Sequence, residues 1–193
     1  PRMRKKPDPP GRARRPAGPR EAQTAKTMRR GPGRRSSLTL VNRHPGREVN
    51  LPALRRIAQA LLRETWPGCR FDLGIYMVAA AEMARLNETF LRHSGSTDVI
   101  TFDYAQSPGA GAQPGPPPAL LHGEILVCLD EAISQARRFR TTWQSELIRY
   151  VVHGVLHLRG YDDRSHRLRQ QMKKAEDGLV RRLAGRFDFG ALG

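Results

Sequence analysis

Apolar and polar positions along the chain change period several times, and each change predicts an element. SLTLVNR, from Ser37, alternates and reads as a strand. In LPALRRIAQALLRET, Leu54, Ile57, Ala58, Leu61 and Leu62 recur at helical spacing. Pro52 suits the first turn of that helix, and Pro67-Gly68 ends it. RFDLGIYMV returns to alternation through Phe71, Leu73, Ile75 and Met77 or Val78. AAAEMARLNETFLR reads as a second helix, and TDVITFDY, rich in β-branched and aromatic residues, as a strand. QSPGAGAQPGPPP then interrupts with prolines that cannot donate to a sheet, so residues 106–119 are expected to form a loop. GEILVCL is the next strand. DEAISQARRF is a short helix that Asp130 is placed to cap.

Thr141 to Leu158 predicts a different kind of helix. Leu147, Ile148, Val151, Val152, Val155 and Leu156 make it apolar nearly all round, which implies burial. Thr141 with Gln144 fits a capping box, and Gly160 is the stop. A last amphipathic helix runs from about Ser165 to Leu183, with Leu168, Met172, Ala175, Leu179 and Leu183 as its apolar stripe. The order βαβαββααα predicts an α+β fold: a small mixed sheet of about four strands packed with about five helices. The 193 residues suit one such domain, over 39–193.

Charge adds a second region. Residues 1–38 hold thirteen Lys and Arg against two acids, among many Pro and Gly. Such a segment lacks the apolar surface to offset ordering entropy, so a disordered basic tail is expected. It reads either as a phosphate-binding arm, or as a solvated extension or translated sequence upstream of a start at Met28. The rest of the chain is also basic, with twenty-one Lys and Arg against sixteen acids, which points to a polyanion. Cys69 and Cys128 have no C-x-x-C spacing, so no disulfide framework is expected and a reducing compartment, the cytoplasm, fits. No apolar run reaches the length of a membrane span, and no secretory h-region is present.

The chemistry concentrates in HGVLHLRGYDD, residues 153–163. His153 and His157 stand one helical turn apart on nearly the same face, so both imidazoles can reach one ion. Gly160 lets the chain turn sharply, and GYDD can bring a third ligand back over that face. The spacing H-x-x-x-H-x-x-G-x-x-D offers two imidazoles and the Asp163 carboxylate, a set suited to one Zn²⁺ per chain with a coordination position left open. His166 is the alternative third ligand. His44, His93 and His122 read as ordinary surface or turn residues. The glutamate that serves as base in H-E-x-x-H proteases is replaced by Gly154, so peptide hydrolysis is disfavoured. A phosphodiester is the better target for a metal site on a basic chain.

HGVLHLRGYDD closely resembles the signature H-G-x-L-H-L-x-G-Y-D-H of the YbeY-type endoribonucleases, a family of rRNA maturation factors. LNETFLRHSGSTDVITFDY and GEILVCLDEAISQA resemble two further segments of that family, and the likeness covers roughly residues 40–184. The resemblance implies a metal-dependent, single-strand-specific endoribonuclease acting in small-subunit rRNA maturation and ribosome quality control, with RNA and the ribosome as partners. Two positions depart from the pattern. The family's third histidine falls on Asp163. The family's arginine after the aromatic falls on Leu91, and the adjacent Arg92 is the candidate phosphate clamp. Thr97 and Asp98, from the matched T-D-V, are expected to shape the cleft. The competing readings are a non-enzymatic ribosome-assembly protein with a structural zinc, for which His166 would be a fourth ligand, and a zinc metalloprotease.

Overall fold

The computed structural model describes residues 36–105 and 120–193. The expected tail and the expected Pro/Gly-rich loop at 106–119 lie outside the described residues, except that Ser37 and Leu38 already belong to the first strand.

Four strands form one mixed sheet: β1 (Ser37–Asn42), β2 (Arg70–Val78), β3 (Val99–Asp103) and β4 (Leu120–Cys128). Their order is β1-β2-β4-β3. β1 and β4 both pair in parallel with β2, and β3 pairs antiparallel with β4. The two parallel pairings need crossovers, which helices supply. The helices are α1 (Leu51–Thr65), α2 (Ala80–Leu86), α3 (Leu129–Phe139), α4 (Trp143–Leu158) and α5 (His166–Ala184). This is the α+β fold expected, with four strands and five α-helices. No helix of the described residues is long and apolar enough to cross a membrane.

The alternation of β2 and β4 sorts side chains to two faces. Leu73, Ile75 and Met77 of β2, with Leu121, Ile125 and Val127 of β4, join the main core against α1, α4 and α5. On the other face Val78, Leu126, Cys128 and Ile100 form a smaller cluster with Met83 of α2. α4 is the central helix. Leu147, Val151, Val152, Val155 and Leu156 are all buried, as their spacing implies.

Gly154 explains how close α4 comes to the sheet. A Cβ built there would stand 2.6 Å from Ile125 Cγ2, a fully buried branched side chain that has no room to retreat. Gly154→Ala is therefore expected to destabilise the fold by about 1–3 kcal/mol, the usual scale of overpacking, despite alanine's better helix propensity. Urea unfolding checks it: a midpoint equal to wild type would mean that the helix shifts without cost. The glutamate of a protease motif has no space at this position for the same reason.

Local chemistry moves several boundaries. The second helix is not one α-helix: after Leu86 it widens into a π-turn over Asn87–Leu91, which Arg92 ends in the left-handed region at φ 58°. Asp130 does not cap α3. The N-cap there is Cys128, without a side-chain bond, and the Asp130 carboxylate instead accepts from Ala80 N at 2.7 Å, at the start of α2. Its other oxygen lies 3.1 Å from His44 Nε2. His44 is thus no ordinary surface residue: its side chain is 10% exposed and its Nδ1 accepts from Gly46 N. His93 and His122 are exposed. The cap of α4 is Thr142, which accepts from Ser145 N, and not Thr141. Thr141 donates to Glu146 Oε1, and Gln144 donates to the Gly193 carbonyl. Ser165 caps α5 through Leu168 N. Cys69 and Cys128 are free.

Candidate metal centre

On α4 the polar residues Arg149, His153 and His157 recur every four positions and form one stripe along an otherwise apolar helix. α5 packs along this stripe and places Glu176 against it. Glu176 is 8% exposed, on the same buried face as Met172, Leu179 and Leu183. Its Oε2 accepts from His153 Nδ1 at 2.9 Å, and its Oε1 accepts from Arg149 at 2.6 Å. Arg149 also meets Asp177 Oδ1 at 2.6 Å. The ion pairs satisfy the buried carboxylate, which would otherwise be costly.

The second histidine is held by the end of its own helix. Gly160 takes φ 91°, its N–H bonds the His157 carbonyl, and Tyr161 N bonds the Leu156 carbonyl. This is a Schellman turn, and it needs a residue free of a Cβ at Gly160. The same turn brings the Tyr161 carbonyl back to within 3.2 Å of His157 Nδ1.

These two contacts assign the protons. A carboxylate and a carbonyl can only accept, so the Nδ1 of each imidazole carries hydrogen and each Nε2 presents a lone pair. The two Nε2 atoms face one another at 3.0 Å. Two lone pairs that close repel unless a cation or a proton lies between them. On a tetrahedral Zn²⁺ two histidine nitrogens sit about 3.3 Å apart, close to this spacing. A carboxylate oxygen of Asp163 completes a set of three ligand atoms within 4.8 Å of one another. The donor set thus fits a divalent metal. His166 is not in that set: it lies exposed in the first turn of α5, with Nε2 3.4 Å from Gln170 Nε2.

Without metal, burial works to lower the His153 pKa, but the hydrogen bond and charge of Glu176 outweigh it and hold the value above the ordinary histidine range. Burial, then the charge of His153, pushes His157 below that range. A folded-state value raised this way adds stability below the unfolded pKa, and that stability fades as pH rises through the raised His153 value. Glu176→Gln removes the anion that fixes His153. Zinc affinity is expected to fall about 10–100-fold, the usual effect of losing a carboxylate behind a histidine ligand. Competition titration with a chromophoric chelator measures this, and an unchanged affinity would remove Glu176 from the account.

Arg92 lies elsewhere. It is exposed at the end of the π-turn, where its N–H bonds the Asn87 carbonyl. Among the described residues no hydrogen bond, ion pair or ring contact joins it to His153, His157 or Asp163. Asp98 Oδ1 accepts from Val99 N and from Thr97, and the Asp98 carbonyl accepts from Cys128 N, so this pair shapes the entry to β3. The spacing of the histidines made them visible in the sequence. Glu176 and Arg149 were missed, although a lone acid within the apolar stripe Met172, Leu179, Leu183 was a signal for the first.

The family model and the curated relatives agree on one family. A family model described as Endoribonuclease YbeY matches residues 40–184. The Endoribonuclease YbeY of Salinibacter ruber is 32% identical over 140 residues, covering 72% of this chain and 87% of that protein. That of Chlorobium luteolum is 38% identical over 99 residues, covering 51% and 64%. A solution structure from Thermotoga maritima is similar at TM-score 0.53 and 25% identity, over 78% of this chain and 91% of the other. The residues that the family model matches include both histidines and Asp163. This chain belongs to the Endoribonuclease YbeY family.

Proposed function

We propose that this protein is a metal-dependent endoribonuclease that cuts single-stranded RNA in maturation of the small-subunit rRNA, in the cytoplasm and in contact with the ribosome. The observation that carries the reading is the facing pair of Nε2 lone pairs, 3.0 Å apart, each imposed by an acceptor on the far side of its ring. His153, His157 and Asp163 would hold one Zn²⁺. When bound, the ion supplies Lewis acidity, which polarises a phosphoryl oxygen and acidifies water.

The remaining groups hold and orient. Glu176 and the Tyr161 carbonyl keep the protons on the far side of the imidazoles. Three protein donors, with no fourth joining them among the described residues, favour an enzyme over a structural zinc site. Arg92 is the proposed phosphate clamp. A π-turn carries one residue more than an α-turn, so Arg92 is set back around the helix end toward the place the preceding residue would take. Gly154, packed on Ile125, supplies no base, which speaks against peptide hydrolysis.

The test uses the zinc-loaded chain on a labelled single strand, the same strand annealed to its complement, and casein. The single strand should be cut, the duplex cut at least about tenfold more slowly, and casein left intact. Chelator should stop cleavage. Peptide hydrolysis that depends on His157 would point to a protease. Tight binding to small subunits with no cutting of any RNA would point to an assembly protein with a structural zinc.

A further inference from the structure

Between the segment entering β3, helix α3 and the first half of α4 lies a cleft of about 390 Å³. It adjoins the histidine stripe. Tyr150 and Arg149, one turn before His153, line it, and the charge of Asp98 on its wall acts on His153. Three carboxylates line the cleft: Asp98, Glu131 and Glu146. Each has one oxygen engaged by a neighbour, Asp98 by Val99 N, Glu131 by Ser96, and Glu146 by Thr141. The second oxygens of Asp98 and Glu131 accept no hydrogen bond among the described residues.

Tyr150 is the second observation. It is 5% exposed, and its hydroxyl makes no hydrogen bond among the described residues. A sealed hydroxyl of this kind is costly. It is not sealed: the one fully enclosed side-chain polar atom without a partner among the described residues is the Trp66 indole nitrogen. The Tyr150 hydroxyl therefore opens into the cleft that the residue lines. At the mouth Phe139 is 60% exposed, with the Arg138 guanidinium 5.4 Å from its ring centroid.

The lining decides what enters. A phosphate would meet three carboxylates, and the cation among them, Arg149, is already paired with Glu176 and Asp177. A single metal ion needs ligand atoms close together, and among the described residues the set that meets this is His153, His157 and Asp163. What fits is a neutral planar group with N–H donors on its edge and a face for an aromatic ring. A nucleobase has this form, and unstacked bases in RNA are read in this way. Guanine alone presents two N–H donors side by side, at N1 and the 2-amino group, with a carbonyl next to them. Uracil places a carbonyl on each side of its single N–H, against the carboxylates.

We propose that this cleft is a base-recognition subsite that selects a guanine beside the cleaved phosphodiester: Glu131 accepts from its 2-amino group and Asp98 from its N1–H, the Tyr150 hydroxyl donates to its O6, and Phe139 stacks on its face. The proposal rests on the reading of the protein as a ribonuclease and deepens it. Arginines 137, 138 and 140, which surround Phe139 at the end of α3, supply positive charge at the mouth for the phosphates on either side.

The test is equilibrium binding of the full zinc-loaded chain to guanosine, inosine and uridine 3′-monophosphates, which an endonuclease cannot cut. Inosine is guanosine without the 2-amino group. Guanosine monophosphate should bind at least about tenfold more tightly than either of the others, because a site built around a donor rejects the analogue that lacks it. Glu131→Gln should bring the guanosine-to-inosine ratio close to one. Tyr150→Phe should weaken guanosine and inosine alike and keep their ratio, a result that does not depend on the Glu131 variant folding. Equal affinity for the three nucleotides, binding of none, or a ratio retained in Glu131→Gln and Asp98→Asn would overturn the subsite. Failure here is separable from failure of the nuclease reading. A chain that cuts RNA without base preference loses only the subsite, and a chain that selects guanosine but cuts no RNA loses only the nuclease.

Discussion

His153→Ala and His157→Ala should each release the metal and lower RNA cleavage by about a thousandfold or more, with the fold intact. The size follows from what the ion contributes. Several kcal/mol of transition-state stabilisation at 1.36 kcal/mol per decade amounts to about three decades. Retention of the fold follows from the apo geometry. The two Nε2 lone pairs face each other at 3.0 Å, so deleting one imidazole removes a repulsion as well as a ligand. In chelator, the His157→Ala melting transition should therefore lie near that of metal-free wild type. His153→Ala has a further consequence, because Glu176 keeps only Arg149 as partner, and its pKa rises from its depressed value. Burial drives that carboxyl up, and the bonds from His153 and Arg149 now outweigh it. A depressed carboxylate contributes stability above its unfolded pKa and loses it as pH falls through the folded value. His153→Ala should accordingly hold less of this stability at neutral pH and lose a smaller part of it than wild type as acid is added. Metal content by mass spectrometry and melting curves across pH check both statements. Full metal retention in the double variant would remove the site.

Asp163→Ala is expected to lose metal and activity together, whereas His166→Ala leaves both within about twofold of wild type, as surface substitutions away from such features do. The carboxylate of Asp163 lies within 4.8 Å of both imidazole ligand atoms, brought there by the turn that Gly160 permits. His166 belongs to the first turn of α5, which Ser165 caps, and its ring meets Gln170 on that helix. Asp163→His, the residue that the family signature carries there, should keep the metal. A neutral imidazole leaves the site one negative charge poorer, so the pH–rate profile should move to lower pH. If His166→Ala strips the metal while Asp163→Ala keeps it, the ligand set is wrong.

Most of the fold was legible because the strands and helices obey the periods of 2 and 3.6 that burial imposes. Leu73, Ile75 and Met77 face one core, and the apolar run of α4 is buried as its pattern demands. What the pattern could not carry were contacts between residues far apart in the chain. Asp130 looked like a cap for its own helix, but its carboxylate reaches Ala80, fifty residues earlier, and His44. Thr141 and Thr142 are chemically equivalent as caps, and only the backbone at Thr142 decides between them. The π-turn after Leu86 has no sequence signature distinct from helix.

The histidine pair was visible because its two members share one helix at a fixed spacing. Glu176, which fixes the His153 tautomer from twenty-three residues away, depends on how α5 docks. The Tyr161 carbonyl is a backbone group, so no residue type announces it. Gly154 marked a missing base in the sequence. The structure gives the physical reason for glycine there, the close approach to Ile125.

In the proposed function, RNA cleavage depends on an ion held by His153, His157 and Asp163. Stripped protein titrated with Zn²⁺, with bound metal and cleavage of a single-stranded RNA followed in the same samples, tests it most directly. Cleavage should rise in proportion to occupancy and level off at about one ion per chain, and His157→Ala should show neither tight binding nor the rise. Full cleavage by the stripped chain, or by His157→Ala with no ion bound, would contradict it.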